Sequence, residues 1–171
     1  CLLSRGLGDV YKRQGEEIVL FFDGSKSNDH TALVGCCMSD GHIFTAGVWA
    51  PRKETGVIDF NAVDNAVARV FERFTVLAFW ADVREWESYV KTSWPEKYGD
   101  DLLVKAVPHG KEPAAIAWDM RSHAYQFAEA AEMCHAEIQD GMFTHDGNWD
   151  TSRHIGNARV LETRGRFSIK K

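Results

Sequence analysis

Two short, nearly unbroken apolar runs stand out along the chain. Glu17-Ile-Val-Leu-Phe-Phe-Asp23 and Val76-Leu-Ala-Phe-Trp-Ala-Asp82 each pass through apolar residues and stop at an aspartate. Runs of this length suit strands buried on both faces. After the first run, Gly24 to Asp29 is turn chemistry. Thr31 to Met38 reads as a second strand, Ser39-Asp40-Gly41 as a hairpin turn, and His42 to Trp49 as a third strand. Strands joined by such short turns form an antiparallel meander. From Asp59 to Phe74 the period changes. Val63, Val67, Val70, Phe71 and Phe74 recur every three or four positions among charged residues, which predicts an amphipathic helix with Asp59 as its N-cap. A helix crossing between the two apolar runs makes those strands parallel.

The second half is predicted more coarsely. Trp86 to Tyr98 reads as a helix with Pro95 as its weak point, and Leu102 to Val107 as a short strand. Ala114 to Gln139 is the longest helix candidate, closed by Gly141. Its apolar face (Ile116, Met120, Phe127, Ala131, Cys134, Ile138) is expected in the core. A loop at Asp146-Gly-Asn-Trp149, a helix over Thr151 to Leu161 and a strand from Arg166 to Lys170 complete the chain. The order predicts an α/β fold with a mixed sheet flanked by helices, hairpin strands to one side and parallel strands at the centre. That is the ribonuclease-H-like arrangement, expected here to be truncated at the C-terminus.

Composition narrows the class. The chain has 171 residues, of which 44% are hydrophobic and 26% charged, which argues one globular domain and excludes disorder and a long coiled coil. No stretch approaches the ~18 apolar residues of a membrane span. The net charge of −5 does not imply wholesale electrostatic attachment to nucleic acid, so an anionic partner would have to be met by a local basic patch or by bound metal. The four cysteines form no C-x-x-C pair, and neighbouring Cys36 and Cys37 would face opposite sides of a strand, so reduced thiols are expected. Residues 1–14 have no periodicity and read as a linker-like, non-native segment, leaving 15–171 as the domain. The absence of an initiator Met and a last strand ending at Lys171 lead to the expectation that the domain is incomplete.

The candidate chemistry lies where the two apolar runs end. Ligands of open α/β sheets bind beyond the carboxyl ends of the strands. If the strands are neighbours, ~4.8 Å apart, Asp23 and Asp82 stand side by side and cannot both stay ionised without a cation. Mg²⁺ or Mn²⁺ suits an all-oxygen set. Two such ions ~3.5–4 Å apart clamp a phosphodiester. A single strand-end aspartate serves equally well as a turn cap.

The local sequence adds a resemblance. Phe22-Asp-Gly-Ser-Lys-Ser-Asn-Asp-His-Thr-Ala-Leu-Val-Gly35 resembles the first-strand motif of the nuclease domain of phage terminase large subunits. Ala81-Asp82 followed by Trp86 is similar to that family's second acidic strand end. His145-Asp-Gly-Asn148 with His154 and Asn157-Ala158 resembles its segment after the long helix. The resemblance implies an endonuclease that cuts concatemeric double-stranded viral DNA during capsid packaging, in the cytoplasm of an infected bacterial host. It implies Asp23 and Asp82 as catalytic, metal-binding acids for two Mg²⁺ or Mn²⁺ ions. The family's third acid follows the final strand, beyond Lys171, so this piece by itself is expected to be inactive. The implied partners are double-stranded DNA, an ATPase motor domain, the small terminase subunit and the portal, with no membrane. No G-x-x-x-x-G-K-[ST] occurs in the chain, so the motor lies outside it. Ser25 and Lys26 beside the first acid, and Arg166 and Lys170 in a basic C-terminal stretch, are candidate DNA contacts. Ordinary turn and solvated-face roles compete with these. A resolvase- or integrase-type nuclease, sugar-kinase or actin-like phosphoryl transfer, and a non-catalytic packaging-interaction fragment are the alternative functions.

Overall fold

The computed structural model describes residues 14–27, 29–142, 144–163 and 166–170, with backbone only at 161–163, 166–168 and 170. Its main sheet has four strands: β1 (Glu17–Asp23), β2 (Thr31–Cys37), β3 (Ile43–Trp49) and β4 (Thr75–Ala81). Their order is β3-β2-β1-β4. β1 pairs antiparallel with β2, and β2 antiparallel with β3. β1 pairs parallel with β4. The meander, the crossover and the parallel pair are those expected from the pattern, and the α/β architecture is that of a ribonuclease-H-like sheet. However, β4, expected at the centre, ends the strand order of the described sheet, so only β1 of the parallel pair has a strand on both sides. Almost all of the linker-like segment assigned to 1–14 lies outside the described residues.

The crossover helix α1 (Phe60–Arg73) begins where the side chain of Asp59 accepts the Ala62 N–H, as its N-cap. Its buried residues Val63, Ala66, Val67 and Val70 pack on one sheet face against Ile18, Leu20, Phe22, Leu33 and Phe79. A π-helical turn (Tyr89–Ser93) runs directly into α2 (Trp94–Tyr98), where Pro95 falls in the first turn and needs no N–H partner. Trp86 and Trp94 are fully buried in the same core and stand edge-on to Phe22. The other sheet face is not fully covered. Val19, Phe21, Val34 and Trp80 are half-buried there, so β1 alternates rather than being buried on both sides.

Three expectations for the second half are corrected. The stretch 114–139 is not one helix. Residues 116–118 run extended beside β4, with Ala81 donating to the Ile116 carbonyl and Trp118 to that of Ala81, both at 2.9 Å. A 3₁₀ turn (Met120–Ser122), started by Asp119 accepting the Arg121 N–H, separates this stretch from α3 (Ala124–Gln139). Ile116 is buried, but in the extended piece. On α3 only Ala128 is buried, while Ile138 is 51% exposed. Pairing with the edge of β4 won over a helical period that mixed two elements. Gly141, at φ 69°, does close α3, with Gly141 and Met142 donating back to Ile138 and Glu137.

The strand expected over Leu102 to Val107 is reduced to isolated bridges, Ala78 with Val104 and Val107 with Ala114. The last helix, α4 (Trp149–Asn157), starts earlier than expected because Asn148 caps it by accepting the Thr151 N–H. It gives way to β5 (Arg159–Thr163), which among the described residues pairs with β6 (Arg166–Lys170) in a separate two-stranded sheet. Among the described residues no helix is long and apolar enough to cross a membrane.

Candidate metal and phosphodiester site

Register decides where the two acids meet. β1 and β4 pair as Phe22 with Ala81, and Asp82 donates its N–H to the Phe22 carbonyl at 2.9 Å. The next residue on β1 is Asp23, so both aspartates leave the sheet at the same edge. They line one cleft of about 330 Å³ together with Gly24, Ser25, Ser27, Asp29, His30, Arg84 and Glu85. Asp23 is exposed and Asp82 half-buried. Asp82 Oδ1 accepts two backbone N–H groups, from Val83 at 3.0 Å and Met120 at 3.2 Å. These bonds fix the carboxylate without using Oδ2.

The loop after Asp23 is tied down on several sides. Ser25 donates its N–H to Thr31 Oγ1 at 3.0 Å, and its carbonyl accepts from that hydroxyl at 2.9 Å and from Trp86 Nε1 at 3.0 Å. The Lys26 carbonyl accepts from Ile58. The Lys26 N–H donates to Glu85 Oε2 at 2.6 Å. Lys26 is exposed and outside the cleft lining, where the cation is Arg84. Ser25 does line the cleft, with its hydroxyl turned back to the Ser27 carbonyl. Trp86, the aromatic residue of the second acidic motif, is 0% exposed and lies beneath the loop, outside the cleft lining. The side chains of Arg166 and Lys170 lie outside the described residues.

The His145-Asp-Gly-Asn148 segment is structural. Asp146 accepts the Thr45 N–H at 2.6 Å and the Asn148 N–H at 2.9 Å, docking the start of α4 onto β3. His154 and Asn157 instead face a second cavity of about 500 Å³ that shares Asp23, Asp29 and His30 with the cleft. The His154 ring meets that of His30 edge-on at 4.6 Å, and its buried Nε2 has no hydrogen-bond partner among the described residues. Burial, followed by the neighbouring His30, holds its pKa below the usual 6.5.

Several residues near the site escaped the sequence pattern. Asp119 ends the extended stretch beside β4, a third acid at the same sheet edge. Its carboxylate is gripped by Arg121 through Nε at 2.9 Å and NH2 at 2.7 Å, which holds its pKa at about 2. It is thereby neutralised within its own turn and lies outside the cleft lining. Glu85, three residues after Asp82, sits on an unusual backbone, φ 67°, that no sequence signal marks. A separate group sits at the opposite end of β1. Ligand-type atoms of Glu16, Cys37 and Asp40 lie within 4.8 Å of one another, and Ser39 Oγ donates to Glu16. The β1–β2 register brings them together, so no spacing in the sequence announces them.

The chain resembles phage proteins. It is 43% identical over 146 residues to the Gene 13 protein of Mycobacterium phage D29, and 41% identical over 147 residues to the Gene 13 protein of Mycobacterium phage L5. These matches cover 85% and 86% of the chain but 24% of each relative, so the chain spans about a quarter of the length of either protein. No family profile matches the chain, and no solved structure does.

Proposed function

We propose that the chain is the metal-dependent endonuclease domain of a phage terminase large subunit, cutting double-stranded viral DNA during packaging. The observation that carries this is the convergence of Asp23 and Asp82, from adjacent parallel strands, on one solvent-open cleft. The motif order around both acids supports the packaging assignment, and the relatives support a phage origin.

The residues fit a divalent ion by donor chemistry. The cleft offers carboxylate oxygens at a sheet edge, and no thiol lines it. Asp23 and Asp82 would hold Mg²⁺ or Mn²⁺, and a bound ion there lowers the pKa of water and stabilises phosphoryl charge. The chain's own contribution is placement. The β1–β4 register brings the acids to one sheet edge, the Val83 and Met120 amides orient Asp82, and the pinned loop over Gly24 to Ser27 forms one wall. Arg84, with its side chain 71% exposed, puts a cation at the rim for a DNA phosphate.

Cleavage of double-stranded DNA by the full-length protein should require Mn²⁺ or Mg²⁺. Asp23→Asn and Asp82→Asn should each reduce it by more than the ~10–100-fold typical of losing an outer-shell partner, with circular dichroism unchanged. Undiminished cutting by both variants overturns the proposal.

A further inference from the structure

The loop that follows Asp82 carries the one non-glycine residue with positive φ among the described residues, Glu85 at 67°. An L side chain is disfavoured there, and glycine or asparagine is the usual occupant when only the turn's shape matters. Glu85 does something a short residue cannot. Its Oε2 crosses to the loop after Asp23 and accepts the Lys26 N–H at 2.6 Å, a contact between residues 59 apart in sequence. Its Oε1 lies 3.9 Å from Arg84 Nε, the cation of the cleft. The next residue, Trp86, completes the junction by donating Nε1 to the Ser25 carbonyl at 3.0 Å. Two adjacent residues of one acid-bearing loop thus hold two adjacent residues of the other.

We propose that Glu85 is a positioning residue that locks the loop after Asp23 to the loop after Asp82 and so sets the spacing of the two acids for divalent ions. The proposal rests on the metal-dependent nuclease reading. Only the acceptor oxygen matters in it, and Glu85 is not itself a ligand. The β1–β4 ladder ends at Phe22 and Ala81 and holds Asp82 through its N–H, but it places no bond beyond Asp23. The charge-assisted bond from Glu85 to a backbone N–H is a short, strong link across that gap.

Three variants separate the possibilities. Glu85→Gln keeps an acceptor of the same reach, Glu85→Ala removes it, and Glu85→Gly removes it while relieving the backbone strain. Hydrogen exchange at the Lys26 amide reads the lock directly. The Mn²⁺ concentration giving half-maximal DNA cleavage by the full-length protein reads its consequence. Exchange at Lys26 should speed up in the Ala and Gly variants and stay slow in Glu85→Gln. The Mn²⁺ midpoint should rise ~10-fold or more in the first two, as for an outer-shell partner, and stay near wild type in the third. Glu85→Gln behaving like Glu85→Ala, or an unmoved midpoint in Ala and Gly despite a freed Lys26 amide, overturns the positioning role. Metal-independent cleavage by the wild type would instead remove the metal dependence, and no cleavage at all the nuclease reading, while the exchange result would still report on the lock.

Discussion

Gly24 follows the first acid, and its lack of a side chain is what lets the two loops close together. A Cβ placed on Gly24 falls 2.5 Å from Phe22 Cε1 and nearer still to Trp86 Cδ1. Neither ring can retreat. Phe22 and Trp86 are both 0% exposed, and Trp86 is hemmed in by Phe60 at 4.4 Å, Phe22 at 4.9 Å and Tyr89 at 5.3 Å between ring centroids. Gly24→Ala therefore overpacks a filled core, which costs about 1–3 kcal/mol. For a chain of this size that is a fall in melting temperature of roughly 2–12 °C. Urea denaturation followed by tryptophan fluorescence checks it. The assay should also show coupling: in the Trp86→Leu background, which removes the ring, Gly24→Ala should cost at least ~1 kcal/mol less than in the wild type. A Gly24→Ala protein within about 0.5 kcal/mol of wild type, or strict additivity with Trp86→Leu, would falsify the packing argument and with it the account of why the cleft wall is rigid.

Two more predictions concern the surroundings of the site. Trp94, fully buried, donates Nε1 to Asp64 Oδ1 at 2.8 Å, so Asp64→Ala strands a buried donor and should cost about 1–3 kcal/mol in urea titrations. A change of only a few tenths would show that water replaces the acceptor. His154 is held neutral below its usual pKa by burial and then by His30 and Arg153, with Asp150 opposing. The unfolded chain then binds the extra proton first, so stability from this residue is complete above about pH 6.5 and falls as pH drops through 6.5 toward the folded-state value. His154→Gln should flatten that part of the stability–pH curve, and an unchanged slope would rule the residue out as its source.

The first half of the molecule was legible because each element is specified locally. The Glu17–Asp23 and Val76–Asp82 runs are apolar enough to mark strands with a buried face, Asp59 announces its helix by capping it, and a crossover helix makes β1 and β4 run parallel. Those facts place Asp23 and Asp82 at the carboxyl ends of two parallel strands, and the β1–β4 register then makes them neighbours. The second half was misread where pairing overrode pattern. Residues 116–118 satisfy their backbone against the exposed edge of β4, and that edge exists only once the sheet has formed. The apolar periodicity across 114–139 therefore spanned a strand-like piece and a helix that leaves Ile138 in water.

By itself the sequence determined the order of elements through β4, the sheet class and the two acids at the strand ends, because periodicity, caps and chain connectivity act over short distances. Tertiary structure alone decided that Trp86 lies under the loop, that Arg121 neutralises Asp119, that His154 meets His30, and that Glu85 reaches Lys26. Each of these joins segments separated by a turn or by a whole crossover. Their geometry is set by how side chains fill the space left between packed elements, which no local pattern encodes.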